Sequence, residues 1–182
     1  MPARSNAGAG SYKITMARAD TDSVVTLSIL DRLLDNEPAN RNEAVLSRSQ
    51  SVRQLKASLR RDLEWLLNTR RIADDILEGY PDLAKSVYGF GLPDFTSFSF
   101  ANVKDRARLL RALESAIRNF EPRLASVRVI PMETSSESGA KKLLRFQIEG
   151  LLKMAPAPER VSFDTVLQLT TGEYQVKGDA GA

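Results

Sequence analysis

The sequence predicts an α+β domain, with N-terminal helices packed on a small antiparallel or mixed sheet of about four strands. Apolar residues recur every three or four positions through the first two thirds of the chain, and from residue 124 onward they alternate with polar ones. Helices that precede strands, rather than alternating with them, favour an antiparallel sheet. A chain of 182 residues, 42% of them hydrophobic, is long enough to bury one core.

The predicted domain spans residues 27–177, between a flexible tail at 1–26 and a flexible C-terminus at 178–182. The tail is rich in Gly, Ala and Ser, and no apolar stretch of the kind found in secretory signals follows Arg4. A chain with no cysteine and no such signal is expected in the cytoplasm.

Composition excludes several functional classes. The chain has no Cys and no His, so thiolate zinc sites, cysteine nucleophiles and Ser-His-Asp triads are excluded, and no cofactor or metal is expected. The net charge of +3 is mild, and no recognised nucleic-acid motif accompanies the basic residues, so we expect no nucleic-acid partner. These clustered arginines are interpreted as solvated surface: Arg60, Arg61, Arg70, Arg71, Arg106, Arg108 and Arg111.

The first helical segment is short. Leu27, Leu30 and Leu34 recur at helical spacing, and Ser28 can cap the start. A further helical turn is predicted over residues 72–77, before Pro81 interrupts the pattern.

Two longer helices are predicted. The first runs from Val52 to Leu67, is capped by Ser49 or Ser51, and ends at 68–69. The second runs from Val103 to Phe120. It is capped by Asn102, carries Asp105 near its positive end, and is stopped by Pro122.

Residues 80–100 combine turn formers with aromatic residues. Such a loop is expected to pack against the body of the domain, because exposed aromatic surface is unfavourable in water. The four predicted strands are centred on 127–129, 144–148, 163–169 and 174–176, with polar or Pro-rich connections at Glu133–Lys142 and Ala155–Arg160.

Three local patterns occur together. They are Ser-Ile-Leu-Asp-Arg-Leu at 28–33; Leu-Leu-Asn-Thr-Arg at 66–70 followed by Tyr-Gly-Phe-Gly-Leu-Pro-Asp-Phe at 88–95; and Phe-Glu-Pro-Arg-Leu at 120–124. In this order, and followed by a β-rich end, they resemble the TssE family of type VI secretion baseplate proteins. That family is similar to a phage baseplate wedge protein once called lysozyme-like. The sequence has two residues more than the Tyr-Gly-Leu-Pro-Asp-Phe pattern expected for the loop.

The resemblance implies a non-enzymatic part that joins the baseplate wedge to the contractile sheath and helps to initiate sheath assembly. The implied partners are the TssF and TssG wedge subunits and the TssB/TssC sheath, with TssK and the VgrG spike as further baseplate neighbours. The implied location is the cytoplasmic side of the bacterial inner membrane, with contact to the membrane only through the assembly.

The resemblance assigns wedge docking to Glu121, Pro122 and Arg123. Proline fixes the chain direction after the helix, and an Arg fork can bind a carboxylate or backbone carbonyls. A docking role predicts that Arg123→Ala keeps its melting temperature and loses wedge binding. The alternative is that Arg123 caps the helix or pairs internally with Glu121 or Asp94.

The C-terminal hairpin is the second candidate site. An exposed strand edge can bind a strand of another chain through main-chain hydrogen bonds. Under the alternative, the hairpin is only the edge of the domain's own sheet, protected by Asp164 or Lys177. The hairpin residues assigned to sheath strand pairing are Phe163, Thr165, Leu167, Leu169, Tyr174 and Val176.

Two other functional classes stay open. Glycoside hydrolysis needs two carboxylates at one cleft, for which Asp94 and Glu121 are the candidates. A regulatory binder is the other class, because a stress-response anti-adaptor has a similar fold and fold does not determine function.

Overall fold

Two long helices and a four-stranded sheet form most of the described structure. The computed structural model describes residues 28–33, 47–72, 79–95, 98–99, 102–132, 143–169 and 171–179. Three predictions lie wholly or almost wholly outside these residues: the tail at 1–26, the helical turn after Ile72, and the connection Glu133–Lys142.

The first helix, α1, covers Ile29–Leu33. Ser28 caps it as predicted, because the backbone N–H of Asp31 donates to the Ser28 hydroxyl at 3.1 Å.

Helix α2 covers Arg48–Asn68 and starts four residues before the predicted position. Ser47 is the cap, so the assignment to Ser49 or Ser51 is wrong. The side chain of Gln50 accepts the Ser47 backbone N–H at 2.8 Å while the Gln50 N–H donates to the Ser47 hydroxyl, which is a capping box. The predicted end at Asn68–Thr69 is confirmed.

A short helix, α3, covers Pro81–Ala84, and a 3-10 turn follows at Val87–Gly89. The chain then passes close to the end of α2. Leu92 donates its N–H to the Thr69 carbonyl at 2.8 Å and accepts from the Arg71 N–H at 2.9 Å. Gly91 has a φ of +109°, and a Cβ there would clash with the Thr69 carbonyl, so this approach requires glycine. The ring of Phe90 packs edge-on against Phe120, as expected for an aromatic loop that covers the body.

Helix α4 covers Val103–Phe120, the predicted range. The side chain of Asn102 accepts from the Lys104 N–H at 2.9 Å, which confirms the predicted cap.

The predicted α+β class is confirmed, and the sheet is antiparallel throughout rather than mixed. Its strands lie in the order β1-β2-β3-β4. They are β1 Leu124–Pro131, β2 Leu143–Leu152, β3 Glu159–Gln168 and β4 Glu173–Asp179. Strand β4 therefore runs two residues beyond the predicted domain boundary at Lys177.

The core lies between one face of the sheet and the two long helices. Helix α2 packs against β4, and α4 packs against β1. Paired strand residues such as Ile148 and Phe163 contribute to this face, and Leu59 and Leu113 contribute from the helices, all almost fully buried. Within the described residues, no helix combines the length and apolar character needed to cross a membrane.

Candidate functional site

The segment 121–123 forms the corner between α4 and β1. The Leu124 N–H donates to the Glu121 carbonyl at 3.2 Å, which closes a tight turn around Pro122. Proline has a fixed φ and cannot continue the helix. Pro122 and this hydrogen bond together turn the chain sharply at the end of α4.

Glu121 and Arg123 form a bidentate ion pair within this corner. One carboxylate oxygen of Glu121 accepts from Arg123 Nε at 2.7 Å, and the other accepts from Nη2 at 2.6 Å. The Arg123 backbone N–H also donates to this carboxylate, at 3.2 Å. Glu121 is only 4% exposed, so the guanidinium offsets part of the free-energy cost of removing water from this buried charge.

Helix α2 completes the site from the other side. Arg123 Nη2 donates to an Asp62 carboxylate oxygen at 2.6 Å, and Nη1 donates to the Ser58 hydroxyl at 3.3 Å. The hydrogen bonds to Glu121 raise the pKa of Arg123 further despite its burial, and the Asp62 carboxylate adds to the effect. Arg123 is therefore charged at every working pH.

The ion pairs continue from Asp62 to α1. Arg61 donates to Asp62 and, at 2.7 Å, to Asp31 on α1. Burial by itself would raise the pKa of Asp31, but hydrogen bonds from Ser28, Arg61 and Ser58 bring it below its ordinary value. We call the alternating set Asp31, Arg61, Asp62, Arg123 and Glu121 the corner network.

Only part of the corner is accessible to a partner. Pro122 is exposed, whereas Glu121 is buried. Four of the five Arg123 side-chain N–H groups are accounted for by hydrogen bonds within the described residues, and the fifth, on Nη1, has no acceptor among those residues. The corner can thus offer an apolar proline ring and one guanidinium donor.

This geometry changes two expectations. The internal pairing of Arg123 with Glu121 is present, but its second carboxylate is that of Asp62 and not that of Asp94. Since Arg123→Ala would leave a buried carboxylate without its cation, an unchanged melting temperature no longer follows.

The residues assigned to strand pairing have different environments. Phe163, Thr165 and Leu167 lie in β3, which is hydrogen-bonded on one side to β2 and on the other to β4. Their side chains are buried, and at these three positions β3 has a partner strand on each side, so no free main-chain edge is available there. Leu169 lies in the turn after β3. Tyr174 and Val176 lie in β4, an edge strand of the described sheet.

A cleft of about 380 Å³ lies where the end of α2, the loop before α4 and the β3–β4 hairpin meet. Asp94 lines this cleft and Glu121 does not. Glu121 is instead engaged by Arg123. The two carboxylates considered for hydrolysis therefore do not face each other across it, as a glycosidase would require.

No curated protein matches this chain. A solved structure described as "The baseplate complex from the type VI secretion system" contains a similar chain with 20% identity and a TM-score of 0.42, and the match covers 64% of this chain and 96% of that chain.

A family model gives a match on sequence. The family described as "Baseplate wedge protein gp25" matches residues 53–157, which is more than half of the chain and includes most of α2, the corner and β1–β2. This is a family of structural baseplate proteins. The chain therefore belongs to the baseplate wedge protein gp25 family.

Proposed function

We propose that this chain is a non-enzymatic baseplate subunit of a bacterial type VI secretion system. In this role it links the TssF–TssG wedge to the TssB/TssC sheath and helps to initiate sheath assembly. The observation that carries the proposal is the family match over residues 53–157, which contains the complete 121–123 corner.

The physical design of the corner supports a docking role. Pro122 fixes the backbone, and the Arg123 guanidinium is oriented from two sides, by Glu121 and by Asp62. A group that is already ordered loses little conformational entropy on binding. We assign contact with the wedge to Pro122 and Arg123, and we assign the positioning of Arg123 to Glu121.

The sheath side of the proposal rests on β4. An edge strand can extend its sheet by main-chain hydrogen bonds to a strand from another subunit. Of the residues first considered, Tyr174 and Val176 are the two on this edge strand. On its other side β4 is paired with β3, where Thr165 lies opposite Val176 and Leu167 lies opposite Tyr174.

The proposal implies a location at the cytoplasmic side of the inner membrane, where TssK and the VgrG spike would be neighbours. Contact with the membrane would occur through the assembly. The regulatory anti-adaptor role predicts a different partner, an adaptor of proteolysis, so the identity of the bound protein separates the two roles.

Co-purification tests the wedge contact. The full chain is co-expressed with the TssF and TssG subunits encoded with it, and the elution of a stable complex is measured by size exclusion. Pro122→Asp places a charge on the exposed contact without removing any member of the corner network. We expect the parent to co-elute with the wedge and the variant to elute alone.

The matched control is Pro81→Asp, at another exposed proline, where an acidic residue suits the start of a helix. This control should co-elute like the parent, and both variants should retain the far-UV circular dichroism of the parent. If the parent fails to bind the wedge, or if folded Pro122→Asp binds it fully, the docking assignment is wrong.

A further inference from the structure

The outer face of α4 carries a line of positive charges. Steps of four and three residues place positions 104, 108, 111, 115 and 118 on one face, opposite the buried face of the helix. All five positions are exposed, and Ser115 is the single uncharged one. At 1.5 Å for each residue, the line is about 21 Å long. We call its four cations the α4 stripe: Lys104, Arg108, Arg111 and Arg118.

No ion pair within the described residues neutralises the α4 stripe. The two acidic side chains of α4 bind backbone groups instead. Asp105 accepts from the Ser99 N–H at 3.2 Å, and Glu114 accepts from the Val129 N–H at 2.9 Å. The outer face of α4 therefore presents positive charge alone.

This arrangement is unfavourable for the helix that carries it. Arg108 lies four residues after Lys104 and three before Arg111, and like charges at these spacings repel each other. Lys104 also lies in the first turn, where the partial positive charge of the helix end disfavours a cation. Helix α2 differs, because its Lys56 pairs with Glu159 at 2.7 Å. Repulsion that the described fold does not offset is expected at a functional surface.

One residue of the stripe is already ordered. The Arg108 guanidinium lies over the Phe98 ring at 5.4 Å, and that ring packs edge-on against Phe95 at 5.0 Å. A guanidinium stacked by its flat face keeps its N–H edge for a carboxylate, to which it can donate two parallel hydrogen bonds. Less conformational entropy is lost when such a group binds.

We infer that the α4 stripe binds an acidic helix on a neighbouring protein subunit. Side chains on one face of any α-helix recur at the same steps of three and four residues, so a row of Glu and Asp can meet the stripe along its length. The inference rests on the proposed function, which gives the chain protein neighbours, and it adds the chemistry of one of them. Arg108 and Arg111 are then contact residues rather than only solvated surface.

Two other anionic partners fit the stripe less well. A helix that binds a bilayer surface inserts an apolar face, and the apolar face of α4, with Leu109 and Leu113, is buried in the core. Single-stranded nucleic acids are bound by aromatic rings that stack on bases. The ring of Phe98, beside the stripe, is already stacked on Arg108. A row of carboxylates needs only the charges that the stripe supplies.

An NMR titration of the full chain at low ionic strength tests the inference. The probe is a stapled alanine-based helix with Glu at alternating steps of four and three, and its comparator carries Gln at the same positions. We expect the Glu helix to shift the amide signals of α4 and the Gln helix to leave them unchanged. Addition of about 0.3 M NaCl should weaken binding at least about fivefold, because exposed charges are screened.

Charge reversal at two positions locates the contact. The double variant Lys104→Glu/Arg111→Glu should bind the Glu helix at least about tenfold more weakly, because like charges then face each other. Its melting temperature should not fall, since a glutamate suits the first turn of a helix. The matched control is Arg53→Glu/Arg60→Glu on α2, where both arginines are exposed, the spacing is the same and the net charge changes equally. This control should bind like the parent.

Each contrary result has its own meaning. Equal weakening in both double variants would mean that net charge, and not α4, attracts the probe, and the assignment would be wrong. Binding of duplex DNA or phosphatidylglycerol vesicles in place of the Glu helix would overturn the choice of a protein partner. If the parent ignores the Glu helix and the α4 double variant still co-elutes with the wedge and assembles sheath in cells, this inference fails while the proposed function stands.

Discussion

Arg123 and Asp62 are separated by 61 positions in the sequence, and their side chains meet at 2.6 Å. This ion pair attaches the turn after α4 to the middle of α2. The same guanidinium also forms an ion pair with Glu121, within the turn itself. The candidate docking corner is therefore also a structural joint. Variants of Arg123 should alter both stability and binding, and the two effects have to be measured separately.

Replacement of Arg123 by Ala should lower the free energy of unfolding by about 3 kcal/mol, because the buried Glu121 carboxylate loses its cation. Urea denaturation followed by circular dichroism measures the change. Arg118→Ala, at an exposed arginine in the last turn of α4, should change stability by less than about 0.5 kcal/mol. Equal stability of the Arg123 variant and the parent would mean that the corner network contributes nothing to folding.

Replacement of Asn68 by Ala should cost about 1–2 kcal/mol of folding free energy. Both the N–H and the carbonyl of Tyr174 lose their partner in a partly buried site. The comparison is Asn119→Ala, which should differ from the parent by a few tenths of a kcal/mol at most. Denaturant unfolding of the three proteins under the same conditions measures the difference, and indistinguishable midpoints would mean that the contact of Asn68 with Tyr174 does not stabilise the fold.

Acid should weaken the contact between α1 and α2, because protonation of Asp31 on α1 removes its ion pair with Arg61 on α2. The pKa of Asp31 in the folded protein lies below its ordinary value of 3.8, because hydrogen bonds from Ser28 and Arg61 favour the charged carboxylate, so these two interactions stabilise the fold above that pH. The contribution is lost as the pH falls through the lowered pKa. The stability difference between the parent and Asp31→Asn should be constant from pH 7 to 5, begin to shrink near pH 3.8 and vanish only once the pH lies below the lowered pKa.

The fluorescence of the single tryptophan reports on this contact, because Arg61 stacks over the Trp65 ring at 5.5 Å. An acid transition in the parent that is absent from Asp31→Asn is expected. The same transition in both proteins would assign it to another group.

Leu59 lies at the centre of the core and is fully buried. Leu59→Ala should lower the free energy of unfolding by about 2–5 kcal/mol, since it leaves a cavity between α2 and the sheet. Leu33, on α1, is 76% exposed, and Leu33→Ala should have an effect within about 0.5 kcal/mol. Thermal melting compares the pair, and a similar loss in both would place Leu59 outside the core.

The sequence predicts the elements whose signals are local. The limits of α4 follow from Asn102 at its start and Pro122 after its end, and the strands follow from alternation. The start of α2 was misplaced because three serines, at 47, 49 and 51, are comparable caps by type. Ser47 and Ser51 are each followed by a Gln three residues later, so the capping-box pattern alone does not select Ser47, which the structure shows as the cap.

The site could be predicted only in part. Glu121 and Arg123 are two residues apart, so their pairing could be considered from the sequence alone. Their link to Ser58 and Asp62 depends on how α2 packs against the corner, which no local pattern encodes. The one available signal was Ser58, a small polar residue within the apolar face of α2. Asn68 was identified as a helix end, and its contact with Tyr174, 106 positions away, required the fold.

The most direct test of the central claim is sheath formation in cells of the source bacterium that lack this chain. A fluorescently labelled sheath subunit is followed by microscopy, with the full chain restored from a plasmid as the control. We predict that no extended sheaths form without the chain and that the plasmid restores them. Sheaths of normal number and length in its absence would contradict the proposed role in the baseplate.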